Sequence, residues 1–236
     1  MDNQIYRKHI SQVFNKELEA LRSMLMEMGG LVEAQLRNSV QALIEGDSDL
    51  ALKLKPVERR VNDIEMAIDR ECTRILALRQ PTASDLRMVL AISRATKDME
   101  RIGDESIRIA KVAVQLAEEG HKVKGSSEVR NLAQHVASVL NLTLDAFARF
   151  DTELALNMLR ENWSVDQEYE TAARSLVTFM MEDPQQITKL LNVMWVLRAL
   201  ERIADHTTNI AEHLIYLVDG RDIRHLSMEQ LEQLRQ

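Results

Sequence analysis

The sequence is poor in residues that interrupt helices. Its 236 residues include only seven glycines and three prolines, and aromatic residues make up 4% of the chain. Leu, Ala, Arg and Glu, which favour helices, are the most frequent residues, and Met, another helix former, occurs twelve times. The composition therefore predicts a few long helices rather than a fold with many turns.

Cysteine is also scarce, and acidic residues outnumber basic ones by 37 to 30. A single cysteine, Cys72, excludes an intrachain disulfide and a cysteine-rich metal site. We expect Cys72 to be a small core residue, because it lies in an amphipathic stretch. The formal net charge of −7 disfavours nucleic acid as a partner, since phosphate backbones bind basic surfaces. It also disfavours simple electrostatic attachment to anionic lipid.

Long apolar runs are missing as well. No stretch approaches the roughly 20 apolar residues that a membrane-spanning helix needs. The first ten residues are polar and charged, unlike a signal peptide. We therefore expect a cytoplasmic protein that reaches membranes only through protein partners.

Apolar residues recur at helical spacing along nearly the whole chain. The pattern predicts six long helices, at about 10–44, 48–78, 83–118, 128–149, 151–181 and 185–218. We expect Pro56 to kink the second helix and Gly120 to cap the end of the third. The polar tail from Arg221 onward is a candidate short helix.

The two halves of the sequence resemble each other. Residues 100–104, Glu-Arg-Ile-Gly-Asp, recur at 201–205 as Glu-Arg-Ile-Ala-Asp, and residues 47–52 match residues 151–156. This pattern is typical of a tandem duplication of a three-helix unit. We expect an all-α fold of two tandem, pseudo-symmetric three-helix bundles with six long antiparallel helices. The predicted units cover residues 1–120 and 121–236.

Each copy of the motif places two carboxylates four residues apart, on one helix face: Glu100 with Asp104, and Glu201 with Asp205. Repulsion at this spacing costs roughly 0.2–0.5 kcal/mol, so its repetition indicates a cation between the acids. The second helix of each half carries a further polar pair at the same spacing: Glu58 with Asn62, and Asn162 with Asp166. If packing brings these pairs level, each half gathers three carboxylates and one amide oxygen. Such a site suits Mg, Mn, Ca or ferrous iron.

Ion pairing is the main alternative to metal binding. Basic residues on the same helices could neutralise the acids: Lys97, Arg101, Arg198 and Arg202. The absence of Cys and His at ligand spacing argues against zinc.

Histidine and tryptophan give weaker signals. His206 directly follows Asp205 and is a candidate accessory ligand, but we expect an exposed histidine there. The remaining histidines form no recognisable constellation. We expect Trp163 and Trp195 to pack inside the bundles.

These features resemble the PhoU family. The likeness rests on the Glu-Arg-Ile-(Gly/Ala)-Asp motif on the third helix of each unit. Residues 76–81 and 85–87 resemble the family's link between the second and third helices, and residues 209–212 and 220–225 are also similar. The resemblance covers nearly the whole chain.

The resemblance implies a regulator and not an enzyme. Proteins of this family repress the phosphate-starvation response when phosphate is plentiful. They are described as linking the phosphate ABC transporter, through its ATPase subunit, to a phosphate-sensing histidine kinase. Dimers and higher oligomers are common among them. The family's motif acids bind divalent metal, described as iron clusters in some members and as Mg or Mn in others.

By this resemblance, the metal ligands are Glu100, Asp104, Glu201 and Asp205. The second-helix pairs are commonly fully acidic in the family, whereas here Asn62 and Asn162 each replace one acid. The lower charge should weaken metal binding or favour a single divalent ion over a cluster.

Two other functions remain open. One is a metal-dependent hydrolase on a helical bundle, which needs an open coordination position and an acid–base group. The sequence offers no clear candidate for that group. The other is a structural helical scaffold whose acids only form salt bridges.

Overall fold

The computed structural model describes residues 2–118, 124–224, 226 and 230, and the side chains of all of these except 2–11. The helices are α1 (Asp2–Glu45), α2 (Ser48–Leu52), α3 (Lys55–Arg79), α4 (Ala83–Glu118), α5 (Ser126–Arg149), α6 (Thr152–Glu182) and α7 (Ile187–Asp219). A 3₁₀ turn at Pro184–Gln186 precedes α7. Six helices are long and no described residue forms a strand, so the predicted all-α fold is confirmed.

The long helices form two three-helix bundles that share a core. α1, α3 and α4 pack as the first bundle, and α5, α6 and α7 pack as the second. α4 packs along α7, and α1 packs against α5, so the apolar core is continuous between the halves. α4 and α7 are antiparallel, because Asp98 meets His213 whereas the later Glu105 meets the earlier Arg202. We call the contact between α4 and α7 the seam.

The second helix of the first half is broken, not kinked as predicted. α2 ends at Leu52 and α3 begins at Lys55, with Pro56 in its first turn. Proline is tolerated there because the N–H that it lacks has no intrahelical partner. The matching helix of the second half, α6, has no such proline and is continuous.

The repeat is visible in the helix caps. The side chain of Asp47 accepts a hydrogen bond from the backbone N–H of Leu50, and Asp151 accepts one from Leu154, both at 2.9 Å. Aspartate is a favoured N-cap, because its oxygen satisfies an N–H group that the first turn leaves unpaired. The same local signal therefore starts this element in both halves.

Several smaller predictions have clear outcomes. Cys72 is buried in the core, as expected. Gly220 ends α7 in a left-handed conformation, with its N–H bonded to the carbonyl of Tyr216. The predicted cap at Gly120 and most of the tail beyond Arg221 lie outside the described residues. Among the described helices, none combines the length and apolar character needed to cross a bilayer.

The prediction that both tryptophans are packed was wrong. Trp163 is 65% exposed and Trp195 is 68% exposed. Around Trp195, the core positions of α7 are taken by Val193 and Val196 instead. A large apolar residue in an amphipathic helix can thus lie outside the buried stripe.

A carboxylate cluster at the candidate metal site

Three carboxylates of the second half converge between α6 and α7. Oxygen atoms of Asp166, Glu201 and Asp205 all lie within 4.8 Å of one another. Across the residues that the structure describes, no other set of three His, Cys, Asp or Glu side chains meets at this distance. We call these three residues the carboxylate cluster.

Helix geometry explains the arrangement. Glu201 and Asp205 are one turn apart on α7, and the small buried Ala204 lies between them. On α6, Asp166 directly follows the buried Val165 and therefore lies at the edge of the packed face. Asp166 and Glu201 are half-buried, whereas Asp205 is exposed. The cluster is therefore open to solvent on one side.

The surroundings disfavour the charged form of all three acids. Burial raises the pKa of Glu201, and the charge of Asp205 raises it further. Although Asp205 as a whole is exposed, partial desolvation of its carboxyl group raises its pKa as well. Burial also raises the pKa of Asp166, with a further contribution from Asp205. A cation among the three would offset both lost hydration and repulsion.

Two oxygens near the cluster lack a hydrogen-bond donor. Glu201 Oε2 and Asn162 Oδ1 are both buried, and neither has a partner among the described residues. Asn162 precedes Asp166 by one turn of α6, so the two side chains share a face. An unpaired buried acceptor costs about 1–3 kcal/mol, and a bound cation would remove that cost. The residues present therefore fit a divalent ion held by oxygen ligands.

One ion pair already acts on the cluster. Arg198 Nη1 donates to Glu201 Oε1 at 2.6 Å. The guanidinium of Arg198 also lies over the ring of Tyr169, 6.0 Å from its centroid. Arg198 and a bound metal ion would thus compete for the same carboxylate.

The first half does not gather its predicted ligands in the same way. Glu100 is half-buried and Asp104 is exposed on α4, and Glu58 does not join them in a group of three. The position that matches Asp166 is occupied by Asn62, which is exposed. The first half therefore has no carboxylate at the position that Asp166 occupies in the second half.

A different acid of α3 acts on the first motif. Burial raises the pKa of Glu100, and the charges of Asp104 and Glu65 raise it further. Glu65 itself accepts a hydrogen bond from Lys97 Nζ at 2.6 Å, and the same nitrogen lies 3.3 Å from Asp69. Lys97 therefore pairs with both acids of α3 that lie beside the first motif, Glu65 and Asp69. The metal-ligand role of all eight candidate residues stays a prediction.

Sequence analysis missed a buried polar cluster in the seam. Asp98 accepts hydrogen bonds from His206 Nδ1 at 2.9 Å, Asn209 Nδ2 at 3.0 Å and His213 Nε2 at 3.1 Å. Burial opposes the charge of Asp98, but the hydrogen bonds from His206, His213 and Asn209 outweigh it and lower its pKa below the usual range. We call these four residues the seam cluster.

The seam cluster corrects two expectations about histidine. His206 is buried rather than exposed, and together with His213 it does form a constellation. Their spacing in the sequence could have indicated this, because His206 and His213 lie two turns apart on one face of α7. Asp98 occupies a matching core position among the apolar residues of α4, and such an acid needs buried partners.

Sequence comparison shows which proteins this chain resembles. The family model described as PhoU domain matches residues 25–113 and 129–214. The phosphate-specific transport system accessory protein PhoU homolog of Pseudomonas aeruginosa is 52% identical over 225 residues, or 95% of this chain and 93% of that protein. The phosphate-specific transport system accessory protein PhoU of Escherichia coli K12 is 43% identical over 234 residues, or 99% of this chain and 97% of that protein.

Solved structures agree with this result. The crystal structure of PhoU from Pseudomonas aeruginosa matches with a TM-score of 0.85 at 52% identity, over 88% of this chain and 100% of that one. The phosphate transport system regulatory protein PhoU from Streptococcus pneumoniae matches with a TM-score of 0.81 at 29% identity, over 89% of this chain and 98% of that one. The chain therefore belongs to the PhoU family.

Proposed function

We propose that this chain is a metal-binding adaptor and a negative regulator of the phosphate-starvation response. It links the ATPase subunit of the phosphate ABC transporter to a phosphate-sensing histidine kinase, and so controls phosphate uptake and homeostasis. The relatives are named as accessory proteins of the phosphate-specific transport system, which supports a role in that system. In this proposal the protein acts in the cytoplasm as a homodimer or higher oligomer and is not an enzyme.

The metal-binding part of the proposal rests on the carboxylate cluster. Asp166, Glu201 and Asp205 would hold the ion, and the unpaired Oδ1 of Asn162 would be a fourth ligand. Oxygen-only ligands suit Mg²⁺, Mn²⁺ or Fe²⁺. Such an ion joins α6 to α7 and binds only the folded chain, so loading stabilises the second bundle.

Metal titration of matched double variants tests the site. We expect purified protein to bind Mn²⁺ in isothermal titration calorimetry, and Glu201→Gln with Asp205→Asn to abolish that binding. The control is Glu100→Gln with Asp104→Asn, which makes the same changes in the other motif copy. The site assignment fails if the first double variant binds like wild type, or if the control loses binding equally.

The adaptor role needs a separate measurement. We expect wild-type protein to retain the transporter ATPase subunit and the histidine kinase in pull-downs from phosphate-replete cells. Cells carrying the Glu201→Gln, Asp205→Asn variant should express a phosphate-starvation reporter although phosphate is plentiful. Normal repression by a variant that binds no metal would separate the adaptor function from metal.

A structural scaffold is the second candidate, because Arg198 pairs with Glu201 at 2.6 Å. Arg198→Gln separates the two functions. If the cluster binds metal, this change frees Glu201 Oε1 and strengthens Mn²⁺ binding. If the pair is only structural, the change lowers stability and creates no metal binding. The hydrolase alternative gains no support, because His206 beside the cluster is bonded to Asp98.

A further inference from the structure

The sequence repeat makes the two ends of the seam equivalent. When the two motif copies are aligned, three positions of α4 in the seam correspond to positions of α7: Asp98 to Ala199, Glu105 to His206, and Val112 to His213. One end is filled by the seam cluster, in which the Asp98 carboxylate bonds two histidines. At the other end, Ala199 and Val112 are too small to fill the same space.

A cavity of about 220 Å³ lies at that second end. Its walls are partly apolar and include Val112 and Ala199, and the exposed ring of Trp195 lies at its edge. Arg108, Arg198 and Arg202 also line it, as does the carboxylate of Glu105. We call it the arginine cavity.

More guanidinium groups than carboxylates line the arginine cavity. The buried carboxylate of Glu105 accepts from Arg108 Nη1 at 2.9 Å and lies 3.0 Å from Arg202 Nη1. One negative charge thus faces two guanidinium groups. These contacts use one nitrogen of each guanidinium, which has five N–H donors in all. Arg198 adds no net charge, because it is paired with Glu201.

We propose that the arginine cavity binds a small oxyanion, a carboxylate or a phosphate group, between Arg108 and Arg202. At the other end of the seam the side chain of Asp98 fills the matching position, whereas here Ala199 leaves that position open. Guanidinium groups bind carboxylate and phosphate through paired hydrogen bonds. The side chains of Arg108 and Arg202 are 57% and 44% exposed, so an anion can reach them from solvent. The ligand is small, since drug-sized sites occupy roughly 300–1,000 Å³.

Trp195 provides a direct reporter of binding. The chain has two tryptophans, so Trp163→Phe leaves Trp195 as the only one. We expect its fluorescence to change saturably with sodium phosphate or sodium benzoate at constant ionic strength, and not with sodium chloride. Of phosphate and benzoate, the anion whose titration saturates at the lower concentration is the preferred ligand. If neither anion gives a saturable change, the proposal is overturned.

A matched pair of arginine variants tests the location, in the Trp163→Phe background. Arg101 occupies the position in the first motif copy that Arg202 occupies in the second, is exposed, and does not line the cavity. We expect Arg202→Gln to weaken anion binding by about tenfold, the effect of losing one charge-assisted contact. Arg101→Gln should leave the affinity unchanged. Equal weakening by both would indicate a general charge effect and overturn the site.

A third variant adds a second carboxylate to the wall of the cavity. Ala199→Asp places an acid at the position that matches Asp98, so the folded variant should no longer bind added phosphate or benzoate. Anion binding like that of the parent would contradict the proposal. If Ala199→Asp does not fold, the comparison of Arg202→Gln with Arg101→Gln alone tests whether the anion binds in the cavity.

Discussion

His213 Nε2 lies 3.1 Å from Asp98 Oδ2, and this contact crosses the seam between the two bundles. The other oxygen, Asp98 Oδ1, accepts from His206 and Asn209. A single buried acid on α4 is therefore bonded to three side chains of α7. Removing it would leave all three donors without their acceptor.

We expect Asp98→Ala to lower the free energy of unfolding by about 3–5 kcal/mol, since breaking a buried charged network leaves its partners unsatisfied. Urea denaturation followed by circular dichroism measures this. The control is Asp145→Ala, which removes an exposed pair with Arg149 at 3.3 Å. Such exposed pairs contribute about 0–1 kcal/mol. Equal, small losses in both variants would show that the seam cluster contributes little.

The lowered pKa of Glu17 predicts how the free energy of unfolding depends on pH. Hydrogen bonds from Arg79 and then from Arg74 lower the pKa of Glu17 from 4.5 to about 2, although burial opposes the shift. Because the folded pKa is below the unfolded one, ionised Glu17 stabilises the protein above about pH 4.5. This contribution is lost as pH falls through the folded value.

Glu17→Gln should therefore lower the free energy of unfolding at pH 7 and have little effect near pH 2. Urea denaturation at pH 7, 4 and 2 would follow this difference. Glu19→Gln is a suitable control, because Glu19 is largely exposed and, among the described residues, forms its ion pair with Arg22 one turn away. A Glu17→Gln effect that stays constant from pH 7 to pH 2 would contradict the pKa assignment.

The Asp205 carboxylate, a proposed metal ligand, should lower the stability of the metal-free protein. Because its folded pKa is raised, stability is lost as pH rises through that value, and the ionised carboxylate is a cost at neutral pH. The charge of Asp205 also raises the pKa of Glu201 and of Asp166. Asp205→Asn should therefore stabilise the metal-free protein, by the roughly 0.2–0.5 kcal/mol typical of like-charge pairs. It should also remove any rise in melting temperature caused by Mn²⁺.

Thermal denaturation with EDTA and with Mn²⁺ measures both effects. Asp104→Asn makes the same change in the first motif copy, where the charge of Asp104 raises the pKa of Glu100. It should stabilise the metal-free protein but keep the Mn²⁺ effect. If Asp205→Asn keeps the Mn²⁺ effect, the ion binds elsewhere.

Much of the fold could be predicted because helix boundaries depend on local signals. Asp151 at the start of α6 and Gly220 after α7 act within a few residues of their own position. The effect of Pro56 was harder to judge, because proline is tolerated in a first turn and disruptive inside a helix. Its position relative to the helix start decided the outcome.

The candidate site was only partly predictable, because it depends on register between helices. The spacing of Glu201 and Asp205 places them on one face of α7, whichever helix packs beside it. Asp166 joins them only because α6 is level with the motif. The bonds from Asp98 to α7 connect residues 108 to 115 positions apart, and no local pattern specifies such pairs.

Two consecutive glycines in α1 test how closely the bundles pack. A methyl group added at Gly30 would meet no atom within 4 Å, whereas one added at Gly29 would lie 2.7 Å from Leu144 Cδ2 of α5. Gly30→Ala should raise the free energy of unfolding by about 0.5–1 kcal/mol, because alanine favours the helix. Gly29→Ala should gain less or lose stability, since Leu144 must move. Equal stabilisation in urea denaturation would show that α1 and α5 are not in close contact at Gly29.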